Sequence, residues 1–297
     1  MCQTVLSQNP EWVKRGVVRT ESEQILTAAF QKSTGRKLSR FELYSRPDAD
    51  YPEAAFEEAK KIAEARAQGL PLQYLTGFQQ FLDSEYEVTP AVLVPRPETE
   101  ALVVELIRWF ESKSRLPAAG LEIGLGSGAI SVSLLKHFPQ LRIRASELSE
   151  SAIEVAVRNA TKIIPERMEK GDLLILKAHE PVTVWSPFEA VGTPPADFII
   201  SNPPYLQLGD PMDEDVVLHE PQEALFAPPG VPLHFYREIA KGGRKYLNAE
   251  GVVLVEIPSF RAKEIREVFE AERWNVRIMQ DLGGNDRMIE ATLPGAR

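Results

Sequence analysis

The chain has 297 residues, 43% of them hydrophobic, enough for one large domain and a small one and too apolar for wholesale disorder. Its formal charge of −9 lacks the basic footprint of broad, stable nucleic-acid binding. The one cysteine, Cys2, cannot close an internal disulfide, no apolar run reaches the roughly 18 residues of a membrane span, and residues 1–10 lack signal-peptide character. A cytoplasmic protein with no membrane association is expected. The four histidines, His137, His179, His219 and His234, show no metal-ligand spacing, so no metal is expected.

Residues up to about Gln68 read as helical. Thr20 or Ser22 is placed to cap a helix carrying Ile25, Leu26, Ala29 and Phe30, which Gly35 ends. A short helix at 39–45 follows, with Pro47 after it. The Ala-, Glu- and Lys-rich run 51–68 then places Phe56, Ala59, Ile62, Ala63 and Arg66 at three- and four-residue steps. Lys60, Lys61 and Arg66, and Lys241 with Arg244 and Lys245, read as solvated helix faces rather than binding patches. Residues 78–94 alternate as a hairpin through Phe81, Tyr86 and Val88.

A buried strand then enters a glycine turn, Leu121-Glu122-Ile123-Gly124-Leu125-Gly126-Ser127-Gly128, and a helix through 131–138. Glycines let backbone approach a ligand closely. A second strand, 141–146, ends in Glu147, whose carboxylate suits a ribose diol. With Glu147 about twenty residues on, the turn also satisfies a dinucleotide fingerprint. Glu122 beside it suits the cationic S-adenosylmethionine better than a diphosphate. In the next unit, Gly171-Asp172-Leu173 offers Asp172 to an adenine amino group and Leu173 to its ring. The proline-rich insertion 177–195, with Trp185 and Phe188, reads as a surface loop with local packing; the other reading is a wall near the adenine.

The strand-like Asp197-Phe198-Ile199-Ile200 runs into Ser201-Asn202-Pro203-Pro204-Tyr205. The Asn202 side-chain oxygen and the Pro203 carbonyl can each accept one hydrogen of a planar NH2 group, with the Tyr205 ring against its face. Pro203 and Pro204 stiffen the loop before substrate arrives. A common turn would read the same alone. Glycine turn, Glu147, Gly171-Asp172 and 202–205 are together expected at the ends of four successive strands, the ligand edge of an open α/β sheet. That combination reads as a methyltransferase acting on an amide or amino nitrogen.

The chain resembles the protein-(glutamine-N5) methyltransferases of peptide-chain release factors, the HemK/PrmC group, over about 69–289. The resemblance is carried by Pro71-Leu72-Gln73-Tyr74-Leu75-Thr76-Gly77, Val94-Pro95-Arg96-Pro97-Glu98-Thr99-Glu100, the glycine turn, 202–205, Glu220-Pro221, Phe235-Tyr236-Arg237-Glu238-Ile239 and Asp281-Leu282-Gly283-Gly284-Asn285-Asp286-Arg287. It implies a class I, Rossmann-like α/β fold: a mostly parallel seven-stranded sheet with an antiparallel last strand, plus a small N-terminal helical bundle. Residues 1–75 are the expected bundle, gripping the substrate protein, 76–100 a hairpin linker and 101–297 the catalytic domain. The resemblance further implies an S-adenosylmethionine cradle along Glu122, Ile123, Gly124, Leu125 and Gly126, a ribose contact at Glu147, an adenine-side contact at Leu173, and glutamine binding by Asn202, Pro203, Pro204 and Tyr205; Gly128, Asp172 and Asn202 are expected to join the cofactor site. Asn202, Pro203 and Tyr205 are the expected catalytic set.

The implied reaction moves methyl from S-adenosylmethionine to a release-factor glutamine, leaving S-adenosylhomocysteine. Alternatives are glutamine methylation of a ribosomal protein and amino-methylation of adenine or guanine in nucleic acid. Two further readings are a catalytically silent cofactor-binding module and a nicotinamide dehydrogenase, in which the 202–205 loop would have no task. Departures from the usual pattern are Glu for Asp at Glu122 and Glu147, Leu125 for Thr, Leu173 for an aromatic, an altered 226–233 loop, and Pro258 where Gly is usual.

Overall fold

A computed structural model describes residues 1–45, 51–113, 115–179, 183–212, 214–281 and 283–295; Pro47, Leu282 and part of the 177–195 insertion lie outside them. The chain forms two compact units, Met1–Phe78 with Asp213–His219, and Gln79–Met212 with Glu220–Arg297. Most of the 76–100 stretch expected as a linker belongs to the second unit. No helix among the described residues is long and apolar enough to cross a membrane.

The first unit is helical. Its longest helices, Val18–Thr34 and Glu53–Ala67, bury Ile25, Ala29, Ala59, Ile62 and Ala63 in one cluster with Leu6 and Trp12. Cys2 is part of that cluster. Gly35 closes its helix as expected, at φ 71° with its N–H on the Gln31 carbonyl, where a side chain would be strained. Ser22 caps nothing; its hydroxyl turns back to the Val18 carbonyl at 2.7 Å. Ser39 and Glu42 instead form a reciprocal capping box at the start of Arg40–Ser45. The Ser39 N–H and then Arg36 pull the Glu42 carboxyl down to about 2. Arg66 is not a solvated charge: it bonds Glu21 through two nitrogens at 2.9 and 3.0 Å and lies 4.2 Å over the Trp12 ring.

A two-stranded hairpin, β1 (Phe78–Phe81) and β2 (Ser84–Glu87), opens the second unit from its second residue, Gln79, onward. Tyr86 of β2 is fully buried with its hydroxyl 2.9 Å from Ser133. Asn159 bonds the backbone of Glu87 and the carbonyl of Ser127, which ties the hairpin to the glycine turn.

The main sheet contains β3 (Ala119–Ile123), β4 (Arg142–Glu147), β5 (Leu173–Lys177), β6 (Ala196–Ser201), β7 (Leu247–Glu256), β8 (Asn275–Gln280) and β9 (Asp286–Thr292). Its order is β5-β4-β3-β6-β7-β9-β8. The first five pair in parallel, and β9 runs antiparallel between β7 and β8. Alternate residues of β6 and β7 serve opposite faces: Phe198, Ile200, Val252 and Leu254 enter one core, Ile199, Val253 and Val255 the other. Both faces are therefore covered, as parallel strands require.

At Gly120 of β3, an added Cβ would sit 2.1 Å from the Phe198 ring. Gly120→Ala is expected to cost about 1–3 kcal/mol through overpacking. A lower urea midpoint with unchanged slope would report it; an unchanged midpoint would mean that Phe198 has room to move.

Candidate active site

Chain order reverses between β3 and β6: from β3 the chain winds outward through β4 and β5, then returns to place β6 on the other side. Such a switch point opens a crevice at the carboxyl ends of the strands. Here Ile123 leads into the glycine turn and Ser201 into Asn202. The Ser201 hydroxyl donates to the Ile123 carbonyl at 2.7 Å, fixing one strand end to the other. Glu122 through Ser127, Glu147, Thr99, Asn202, Pro203 and Pro204 line one cleft there.

Gly124 and Gly126 hold φ of 80° and 55°, and a Cβ on either would meet no protein atom within 4 Å. Both N–H groups of Gly124 and Leu125 are held by the Ser146 carbonyl at 3.0 Å. Leu125, where the resemblance leads one to expect Thr, is 3% exposed and fills the core beneath the turn. Glu122 is fully buried, accepts from the Ser131 hydroxyl, and has no partner for Oε1. Burial pushes its carboxyl up to about 8, against the pull of the Ser131 bonds; the Glu147 charge adds to the rise. Glu147 accepts from the backbone N–H groups of Gly126, Leu148 and Ser149 at 2.8, 2.7 and 2.9 Å. Those bonds use three of a carboxylate's roughly four acceptor sites.

Asn202 donates from Nδ2 to the Thr99 hydroxyl at 3.1 Å, and Thr99 donates to Glu256 Oε2 at 2.7 Å. Thr99 sits in the first turn of helix Pro97–Ser112, and Glu256 ends β7. Burial pushes the Glu256 carboxyl up to about 7. Beside this chain, Arg96 pairs with Glu220, which also accepts the Val94 N–H at 3.0 Å.

A release factor glutamine methyltransferase of Bacteroides thetaiotaomicron is 34% identical over 226 residues, 74% of this chain and 75% of that one. The chain belongs to the release factor glutamine methyltransferase family. A relative of the same description from Geobacter sulfurreducens is 33% identical over 274 residues, covering 91% of this chain and 88% of that one. The PrmC N-terminal domain description matches residues 16–77 and the methyltransferase small domain residues 106–220. The hMettl16 catalytic domain, solved with the MAT2A 3'UTR hairpin 6, is similar at a TM-score of 0.50 and 14% identity, over 78% of this chain and 81% of that one. That likeness shows the fold alone.

In this methyltransferase the third unit is displaced from its expected place. Asp172 and Leu173 stand at the start of β5, and the Asp172 carbonyl bonds the N–H of Ile143 near the start of β4. Both therefore lie at the sheet edge opposite the cleft. Asp172 pairs with Arg167 at 2.6 Å, and Leu173 is core. The residue that follows β5 into the cleft is Ala178, joined by Leu148, Thr183 and Val184. The insertion is thus no mere surface loop: Trp185 stacks on Tyr246 at 4.7 Å, Phe188 is fully buried, and Thr183 and Val184 form cleft wall.

Two other residues also stand back. Gly128 caps helix Ala129–His137 and lies against Ala156 rather than lining the cleft. Tyr205 packs against the core of its face, outside the cleft lining, and burial pushes its hydroxyl up to about 12. The bond between Thr99 and Glu256 was not foreseen; Glu256 carried one weak signal, a charged residue directly after the buried apolar run Val252-Val253-Leu254-Val255, and Thr99, between Glu98 and Glu100, carried none.

Proposed function

We propose that this cleft binds S-adenosylmethionine and that the chain transfers its methyl group to the side-chain amide nitrogen of a glutamine in a peptide-chain release factor. One observation carries the reading: glycine turn and Asn202-Pro203 open on the same cleft from the two strands at the switch point. The lining fits the cofactor. Glu122 Oε1 is an orphaned buried acceptor suited to a cation. Gly124 and Gly126 leave backbone bare where side chains would intrude. Glu147 keeps roughly one acceptor site for a ribose hydroxyl. Leu148, Ala178 and Val184 offer an apolar wall to the base.

Bound there, S-adenosylmethionine supplies an electrophilic methyl on a sulfonium. Asn202 Oδ1 and the Pro203 carbonyl accept the two N–H groups of the substrate amide. Those bonds hold its nitrogen in place, and its lone pair, otherwise delocalised into the carbonyl, is directed toward the methyl. Fixed orientation of this kind supplies several kcal/mol, up to roughly 7–11 in the best cases. The bound cofactor would give up its methyl by carbon–sulfur cleavage, the electron pair staying on sulfur in S-adenosylhomocysteine. The methylated amide would lose its extra proton to water, so the chain's residues would supply position rather than a nucleophile or a prior base.

Labelled S-adenosylmethionine, offered with a release factor, its glutamine-substituted form, ribosomal proteins and DNA, tests the reading. Label on the intact release factor and not on its substituted form is expected. Label on ribosomal protein or DNA alone would overturn it.

A further inference from the structure

The polarity of the Asn202–Thr99–Glu256 chain is dictated by its end. Once ionised, above about pH 7, the Glu256 carboxylate only accepts, so the single Thr99 hydroxyl hydrogen then goes to Glu256 Oε2. Thr99 Oγ1 is then left only as an acceptor toward Asn202, and the Asn202 group facing it must be the NH2. The amide oxygen is therefore the Asn202 atom offered to the cleft. An amide without such a partner is free to present either end. Thr99 is 6% exposed and Glu256 5%, and Asn202 is half-buried, so water does not readily replace either of its partners. The three also come from separate elements, the helix Pro97–Ser112, the end of β6 and the end of β7, which makes the link a product of the fold rather than of local sequence.

We infer that Thr99 and Glu256 are positioning residues for methyl transfer, holding the Asn202 amide with its oxygen toward the substrate and its nitrogen away. This rests on the reading of Asn202 as acceptor for the glutamine amide. An Asn202 turned the other way would set NH2 against NH2 and repel the substrate. Neither Thr99 nor Glu256 exchanges an atom with the substrate; both act through Asn202.

Thr99→Ser and Thr99→Ala both remove the buried methyl, so the difference between them reads the hydroxyl. The serine chain should keep kcat within about threefold, and the alanine chain should lose at least about tenfold, with the KM for S-adenosylmethionine unchanged in both. Should the alanine chain not fold, Thr99→Val, which keeps the shape without the hydroxyl, takes its place. Glu256→Leu removes the fixed acceptor and also a costly buried carboxyl. It should keep or raise the melting temperature while lowering kcat by about threefold or more, a combination that a purely structural role does not produce. Serine and alanine chains of equal kcat, or Glu256→Leu at full kcat, overturn the inference while wild-type transfer to the release-factor glutamine still stands. Absence of that wild-type transfer overturns both the inference and the proposed function.

Discussion

Asn202→Ala lowers turnover by at least about a hundredfold and leaves S-adenosylhomocysteine binding within about twofold of wild type. Methyl transfer to an amide demands a lone pair held in line, and Asn202 and Pro203, which line the cleft beyond β6, are the acceptors proposed for it. Without the Asn202 oxygen, one N–H of the substrate is unpaired in a partly desolvated site and the nitrogen can turn. Nothing else at the glycine turn changes, since Asn202 bonds Thr99 and not that backbone. Single-turnover rates and calorimetric binding separate the two effects. A loss of turnover below about tenfold would show that positioning comes from elsewhere.

Glu122→Gln weakens S-adenosylmethionine binding by about tenfold or more at pH 8, the scale of a lost hydrogen bond to a charged group. The carboxyl, raised to about 8 by burial, holds its proton at neutral pH in the free protein, and a cation against Oε1 favours its release. Wild-type affinity should therefore rise between pH 6 and 8, by at most about tenfold per unit. Glu122→Gln should flatten that rise. Stability of the free protein runs the other way. The folded value lies above the ordinary 4.5, so the folded state holds an extra proton between 4.5 and about 8. The contribution is fully present below 4.5 and is lost as pH rises toward 8. Glu256, raised from 4.5 to about 7, adds to the fall across the lower part of that window. Melting temperatures of the free protein should thus decline from pH 5 to 8, less steeply in Glu122→Gln. A wild-type affinity flat in pH would remove Glu122 from contact with the cation.

Period and punctuation made much of this fold legible. Gly35 as a left-handed stop, the hairpin through Tyr86, the glycine turn after an apolar strand and the antiparallel end around 275–292 all follow from local chemistry. The gathering of three proposed site residues at one cleft was also legible, since Glu122 lies one residue inside the end of β3, Glu147 ends β4 and Asn202 follows β6. Asp172 failed because Gly171-Asp172 was taken as the exit of a strand, whereas the apolar run Leu173–Lys177 comes after it. The same acid at the entrance of a strand faces the other edge, and there it serves Arg167. Tyr205 stands outside the cleft lining because a motif names neighbours in sequence, while its ring packs on the core cluster of Ile199, Val253 and Val255. Thr99 and Glu256 lie 157 residues apart, a separation at which periodicity carries no information. Trp185 and Phe188 were concealed by the prolines around them, which suggested a surface loop where stacking on Tyr246 makes core.

The most direct measurement is tandem mass spectrometry of the release factor after reaction with S-adenosylmethionine, locating the methyl to an atom. One methyl on the amide nitrogen of one glutamine, absent when Asn202→Ala replaces wild type, is the predicted result. A methyl on any other atom, or one that Asn202→Ala still installs at the wild-type rate, would contradict the account.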